Sequence, residues 1–188
     1  MTCIIGLVYD KGVLLAADSL SIAGGAMYPA RTRKLYTYGS TIAGFAGDSA
    51  DHYAYRRYRA TWDDPGDPKE HAATAEHVWE LNRRQTAVTD ILHSPDLAVM
   101  LAKGRELYVG VSDGALWDTN ADTIGDSRDV SLALLREHLD GMWEPPPLEW
   151  ALQKVSAVLL TMSKTRLSVA QPFYCQTTED PSAYQRLV

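Results

Sequence analysis

Two short apolar blocks open the chain, Cys3-Ile4-Ile5-Gly6-Leu7-Val8 and Val13-Leu14-Leu15-Ala16-Ala17, separated by the polar turn Asp10-Lys11-Gly12. Two such runs around a tight turn predict a hairpin, with strands near 3–9 and 13–18. Further strands are expected near 33–38 and 41–45. From Asp48 or Ser49 the spacing turns helical: Ala50, Ala54, Tyr58 and Thr61 share one face up to about Trp62, and Arg56, Arg57 and Arg59 fall largely on another. The breaker run Asp63-Asp64-Pro65-Gly66-Asp67-Pro68 ends that helix, and Pro68 is placed to start a second over 69–85.

A second β block follows the same logic. Leu97 to Ala102, a Lys103-Gly104 turn and Glu106 to Val111 make one hairpin, and Asp113-Gly114 signals another before short strands near 115–118 and 122–124. Helices are expected near 128–140 and, after Pro145-Pro146-Pro147, near 148–162. In the latter Leu148, Ala151, Leu152, Val155, Val158, Leu159 and Met162 recur at helical spacing. A strand near 166–175 and a polar tail close the chain. Two β blocks, each followed by two helices, predict an α+β fold with sheet packed on sheet and helix layers outside.

Composition narrows the class. With 188 residues, 46% of them hydrophobic and 22% charged, the chain fits one globular domain with a proper core. The formal net charge of −6 makes nucleic acid an unsuitable partner. No apolar run approaches the roughly 18 residues of a membrane span, and the start Met-Thr-Cys has no basic leader, so a cytosolic protein without a membrane partner is expected. The arginine group at 56–59 reads as a solvated face or a contact between subunits.

Metal and thiol chemistry find little support. Cys3 and Cys175 lie at opposite ends of the sequence, in neither a disulfide framework nor a metal spacing. Asp118, Asn120 and Asp122 alternate like the opening of a calcium loop, but Thr123 stands where that loop needs glycine and no glutamate ends it. The five histidines show no ligand spacing, so neither metal nor cofactor is expected.

The candidate chemistry sits at the start. Removal of Met1 would leave Thr2 with a hydroxyl and a free α-amine on one residue, a nucleophile with its base built in. An α-amine titrates near pH 8, and a neighbouring ammonium lowers that further. A buried lysine held by a carboxylate would supply the ammonium, and Asp18 and Lys34 are the candidates. The first hairpin returns Asp18 to the neighbourhood of Thr2, and Lys34 begins the third strand. Cys3 is a weaker nucleophile candidate, since it would need Thr2 removed as well.

Asp18 and Lys34 stand sixteen and thirty-two residues after Thr2. In those offsets the chain resembles the N-terminal threonine peptidases of the proteasome β-subunit superfamily. The run Ile42-Ala43-Gly44-Phe45-Ala46-Gly47, with Ala50-Asp51 beyond, looks like the strand-to-helix turn of the HslV-type bacterial peptidase.

The resemblance implies a four-layer αββα sandwich of the N-terminal nucleophile hydrolase fold. It implies Thr2 as nucleophile and base, Lys34 tuning the amine, Asp18 orienting Lys34, and the Gly47 backbone N–H stabilising the oxyanion. A glycine before a helix start suits that last role independently. Where the family has a glycine-serine pair before its third helix, this chain has Ile124-Gly125-Asp126-Ser127, which puts Asp126 at the serine position unless the loop shifts by one so that Ser127 serves.

The implied activity is a threonine endopeptidase acting on peptides or unfolded proteins inside a homo-oligomeric ring, with an ATP-dependent unfoldase as a possible feeder. The alternatives are a hydrolase of small amides with the same nucleophile, and a catalytically silent scaffold or assembly subunit.

Overall fold

A computed structural model of the chain describes residues 2–23, 26–28, 33–47, 97–111, 115–166 and 168–187. Met1, the helices expected over 48–62 and 69–85, and the Asp113-Gly114 turn lie outside the described residues.

The first hairpin forms as its sequence dictates. Strand β1 (Ile4–Tyr9) pairs antiparallel with β2 (Gly12–Ala17), Tyr9 opposite Gly12 and Ile4 opposite Ala17. Both strands are buried on both faces, which explains runs of apolar residues where an exposed hairpin would alternate with polar ones. Strands β3 (Ser21–Ala23) and β4 (Ala26–Tyr28) make a small separate hairpin in a stretch rich in glycine and alanine that sequence reads as loop.

Strands β5 (Leu35–Tyr38), β6 (Thr41–Gly47), β7 (Leu97–Lys103), β8 (Glu106–Val111) and β9 (Leu116–Asp118) form an antiparallel sheet in that order. The other five-stranded sheet runs β10 (Ala121–Ile124), β1, β2, β11 (Tyr174–Thr177), β12 (Asp180–Arg186). Helices α1 (Arg128–Leu139) and α2 (Leu148–Thr165) cover the outer face of this second sheet. Neither these nor any other helix among the described residues is long and apolar enough to cross a membrane.

The β1–β2 hairpin faces both ways. Ile5, Leu7, Leu14 and Ala16 pack beneath the helices with Leu135, Val155, Leu159 and Met162, whereas Ile4, Val8, Leu15 and Ala17 pack between the sheets with Ile42, Met100 and Val109. A third cluster of Ala43, Phe45, Val99 and Leu101 lies on the far face of the β5–β9 sheet. The result is the sandwich of two antiparallel sheets flanked by helices that the order of elements predicts.

One end of the chain departs from expectation. Residues 166 and 168–173 are not strand, and β11 begins only at Tyr174, after Pro172, which has no N–H to give a ladder. The expected polar tail folds back as β12, at the sheet edge, with its exposed face polar. An edge strand lacks the apolar alternation that would announce it.

Helix α2 owes its place to a buried stripe, and Leu159 is fully buried in it. Leu159→Ala is expected to destabilise the fold by about 2–5 kcal/mol in urea denaturation, with an unchanged slope. A loss well below that range would show that the helix is not packed on β1 and β2 as described.

Candidate functional site

The centre is built on one peptide unit, the bond from Thr2 to Cys3. Asp18 follows β2 and comes to lie opposite Cys3: its own N–H donates to the Cys3 carbonyl at 3.2 Å. Its carboxylate then accepts the Cys3 N–H on Oδ1 at 2.8 Å and the Leu20 N–H on Oδ2 at 3.0 Å. Lys34 enters from the other sheet, just before β5, and its Nζ donates to the same Oδ1 at 2.8 Å. Its carbonyl accepts the Phe45 N–H at 3.2 Å, which ties its backbone to β6. Thr2, Asp18 and Lys34 are all buried.

The carbonyl side of Thr2 is held by a residue that the sequence argument did not single out. Gly125 follows β10 with φ +106°, and a Cβ on it would lie 1.9 Å from the Thr2 carbonyl oxygen and 3.4 Å from Thr2 Cβ. Only glycine permits that approach and that backbone angle. Its signal was a glycine between a strand and a helix start, which marks close backbone contact.

Burial and charge act against each other at the ion pair. Burial lowers the Lys34 pKa below the ordinary lysine range, opposed chiefly by the Asp18 charge and its hydrogen bond, and to a smaller extent by Asp126. Burial raises Asp18, opposed first by the Lys34 charge and then by the Cys3 N–H. Each partner thus opposes the cost that burial imposes on the other's charge.

The two candidates for the serine position separate. Asp126 is exposed, and its charge acts on Lys34. Ser127 is buried, with its hydroxyl beside the Cys3 thiol but without the geometry of a hydrogen bond to it. Its carbonyl accepts from the Ser131 N–H at 2.9 Å and hydroxyl at 2.8 Å, in the first turn of α1.

Gly47 ends β6, exposed and with φ +121°. It lies on the wall of a cavity of about 290 Å³ that Gly125 and Asp126 also line.

The geometry disposes of the cysteine nucleophile. Cys3 is fully buried beneath α1 and α2. Burial pushes its thiol up to about 11, with the nearby hydroxyls of Ser127 and Ser131 pulling the other way. A nucleophilic cysteine needs the opposite shift.

Comparison with known proteins gives a consistent picture. The family model for proteasome subunits matches residues 1–164. A search of the curated proteins finds no match. Among solved structures, the Anbu complex from Pseudomonas aeruginosa, described as a helical assembly, is 20% identical with a TM-score of 0.75, covering 93% of this chain and 80% of that one. Anbu from Yersinia bercovieri, described as an ancestral beta-subunit, is 15% identical with a TM-score of 0.73, covering 100% of this chain and 87% of that one. BPH from Thiobacillus denitrificans in complex with epoxomicin is 14% identical with a TM-score of 0.70, covering 99% of each chain. At these identities the structures establish the fold alone.

Both thiols are raised by burial to about 11 from an ordinary 9.0. The folded chain thus keeps protons that the unfolded chain gives up above pH 9.0. The stability that the thiols contribute is complete below that pH and is lost as pH rises through about 11. The folded protein is expected to resist iodoacetamide at mildly alkaline pH, while the urea-unfolded chain reacts at both cysteines. Alkylation of native Cys3, read by mass, would contradict its burial.

Proposed function

The chain belongs to the proteasome subunit family, and we propose that it works as a threonine peptidase whose nucleophile is Thr2, freed at its α-amine by loss of Met1. The observation that carries this reading is the clamp on the Thr2–Cys3 peptide. One oxygen of Asp18 takes both the Cys3 N–H and the Lys34 ammonium at 2.8 Å, while Gly125 closes on the Thr2 carbonyl from the other side.

In the proposed reaction the α-amine of Thr2 takes the hydroxyl proton as Oγ bonds to the scissile carbonyl carbon. The Lys34 ammonium lowers the pKa of that amine, so a useful fraction is neutral near pH 7. Asp18 positions Lys34, and the Gly47 N–H meets the oxyanion of the tetrahedral intermediate. The amine passes its proton to the leaving nitrogen as the C–N bond breaks, leaving an ester on Thr2 Oγ. A water that gives its proton to the same amine then hydrolyses the ester, which restores the hydroxyl.

Such a site belongs inside a single-domain subunit of a cytoplasmic homo-oligomer that shields it from folded proteins. The helical assembly of the Pseudomonas aeruginosa Anbu complex supports an oligomer. An unfoldase that feeds it rests on the family resemblance alone. Ser127 enters this reading as support for α1 rather than as a group on the substrate.

One observation favours a second reading, a catalytically silent subunit that keeps the fold for assembly. Asp126 brings a negative charge to Lys34, and a carboxylate near the α-amine raises its pKa and holds the base protonated.

The test is the intact mass of protein expressed without an N-terminal tag, before and after an epoxyketone or β-lactone that requires a free N-terminal threonine. The hydrolase reading expects loss of one methionine and one covalent adduct per chain, absent in Thr2→Ala. A mass that retains Met1, with no adduct, assigns the silent role.

A second variant probes the clamp. Gly125→Ala is expected to keep the fold by circular dichroism and to slow adduct formation by about 10²-fold, the cost of displacing a nucleophile by about an ångström. An unchanged rate would show that the contact does not position Thr2.

A further inference from the structure

We propose that Asp122 and Arg128 are a positioning pair that holds Gly125 against the Thr2 carbonyl, so that an ion pair outside the reacting centre sets the pose of the nucleophile. The inference rests on the reading of Thr2 as nucleophile and goes beyond it by naming what keeps that contact in place.

Gly125, Asp126 and Ser127 join β10 to α1, and this short loop is what reaches Thr2. The contact is close enough that a Cβ on Gly125 would lie 1.9 Å from the Thr2 carbonyl oxygen, so a small shift of the loop makes or breaks it. The usual device at a helix start does not fix the loop. Ser127 stands at the cap position of α1, but its side chain makes no capping hydrogen bond. Asp126 is exposed.

Arg128, the first residue of α1, closes the loop instead. Its N–H donates to the Gly125 carbonyl at 3.0 Å, and its carbonyl accepts the Thr123 hydroxyl at 2.9 Å. Its guanidinium Nη2 lies 3.2 Å and 3.4 Å from the two carboxylate oxygens of Asp122. Backbone and side chain of one residue thus reach back to the end of β10 at three points.

Asp122 is a firm anchor for them. It lies opposite Gly6 in the ladder between β10 and β1, the strand that follows Thr2. Its Oδ2 also accepts the Trp117 Nε1 proton at 3.1 Å, and its Oδ1 accepts the Thr123 N–H at 2.7 Å. A buried carboxylate is costly without partners, and Arg128 supplies the cation. Asp122, last of the alternating residues Asp118, Asn120 and Asp122, thereby has a protein group as its counter-charge. Stability alone does not account for the pair. The Arg128 side chain is 42% exposed, and ion pairs within reach of water contribute little to folding. What the pair does fix is the direction in which the loop leaves β10 and enters α1.

The experiment uses the full untagged chain and a peptide epoxyketone. The rate of Thr2 adduct formation is read by intact mass, and exchange of the 125–128 amides by hydrogen–deuterium mass spectrometry. Asp122→Asn keeps an acceptor for Trp117 and removes the charge that holds Arg128. It is expected to slow the adduct about tenfold and to speed exchange of those amides, with little change in the urea midpoint.

Arg128→Ala is expected to slow the adduct to a similar extent. Added guanidinium ion at low concentration should restore its rate, but not that of the double variant Asp122→Asn/Arg128→Ala, a response that a merely weakened fold does not give. This arm keeps the test open if Asp122→Asn folds poorly. An unchanged adduct rate in Asp122→Asn, with or without faster exchange, would overturn the positioning role while leaving Thr2 as nucleophile. So would a slowed Arg128→Ala that guanidinium fails to restore. No adduct on the unsubstituted chain would overturn the nucleophile itself, and the positioning role with it.

Discussion

Everything at this centre depends on a single carboxylate. Asp18 accepts two backbone N–H groups and an ammonium inside the protein, and through them it fixes the start of β1, the chain beyond β2 and the entry to β5. Two charges buried together would each be costly alone. Removing either partner would leave the other uncompensated, at about 3–5 kcal/mol, so the pair persists only because both sheets deliver it together. The geometry around the Thr2–Cys3 peptide is in this way coupled to the stability of the sandwich.

The hairpin that supplies Asp18 also divides the core. Because successive side chains point to opposite faces of a strand, β1 sends Ile5 and Leu7 under the helices and Ile4 and Val8 between the sheets. Gly6 sits where the sheets come close: a Cβ there would lie 2.5 Å from Met100 Sδ and 2.9 Å from Leu107 Cδ1. The strand adjoining Thr2 is therefore held on both faces and along both edges, by β2 and β10. Thr2, the proposed nucleophile, thus adjoins a strand that is buried along its whole length.

The elements with strong local signals were legible in the chain itself. The Asp10–Gly12 turn follows from its turn residues, the runs of β1 and β2 from unbroken apolar sequence on either side of it, and the stripe from Leu148 to Met162 from a periodicity of 3.6. Thr2, Asp18 and Lys34 became candidates by residue type and spacing, and the observed contact joins Asp18 to Lys34 and to the peptide after Thr2. What sequence could not display was whatever depends on tertiary contact. Strand β12 reads as a polar tail because an edge strand needs only its partner's ladder, and Gly125 reads as an ordinary helix-start glycine until the Thr2 carbonyl is seen against it.

The sign of the electrostatics at Thr2 turns on which carboxylate dominates. Asp18 and Asp126 both favour the charged form of Lys34, but they do so from different media. Asp18 is buried and in direct contact, whereas Asp126 is exposed and is the weakest of the influences resolved on that ammonium. Water screens the exposed charge strongly, and the interior screens the buried one little. Asp18 is also already occupied by three donors, so its charge is largely spent locally on the groups that it holds. Asp18 and Lys34 compensate each other at 2.8 Å, so a group beside them meets the field of a close ion pair rather than of a free ammonium. Asp126, exposed and screened by water, adds only weakly to the field that Lys34 feels from Asp18, and the proposed hydrolase and the silent subunit differ in how far that addition reaches the Thr2 amine.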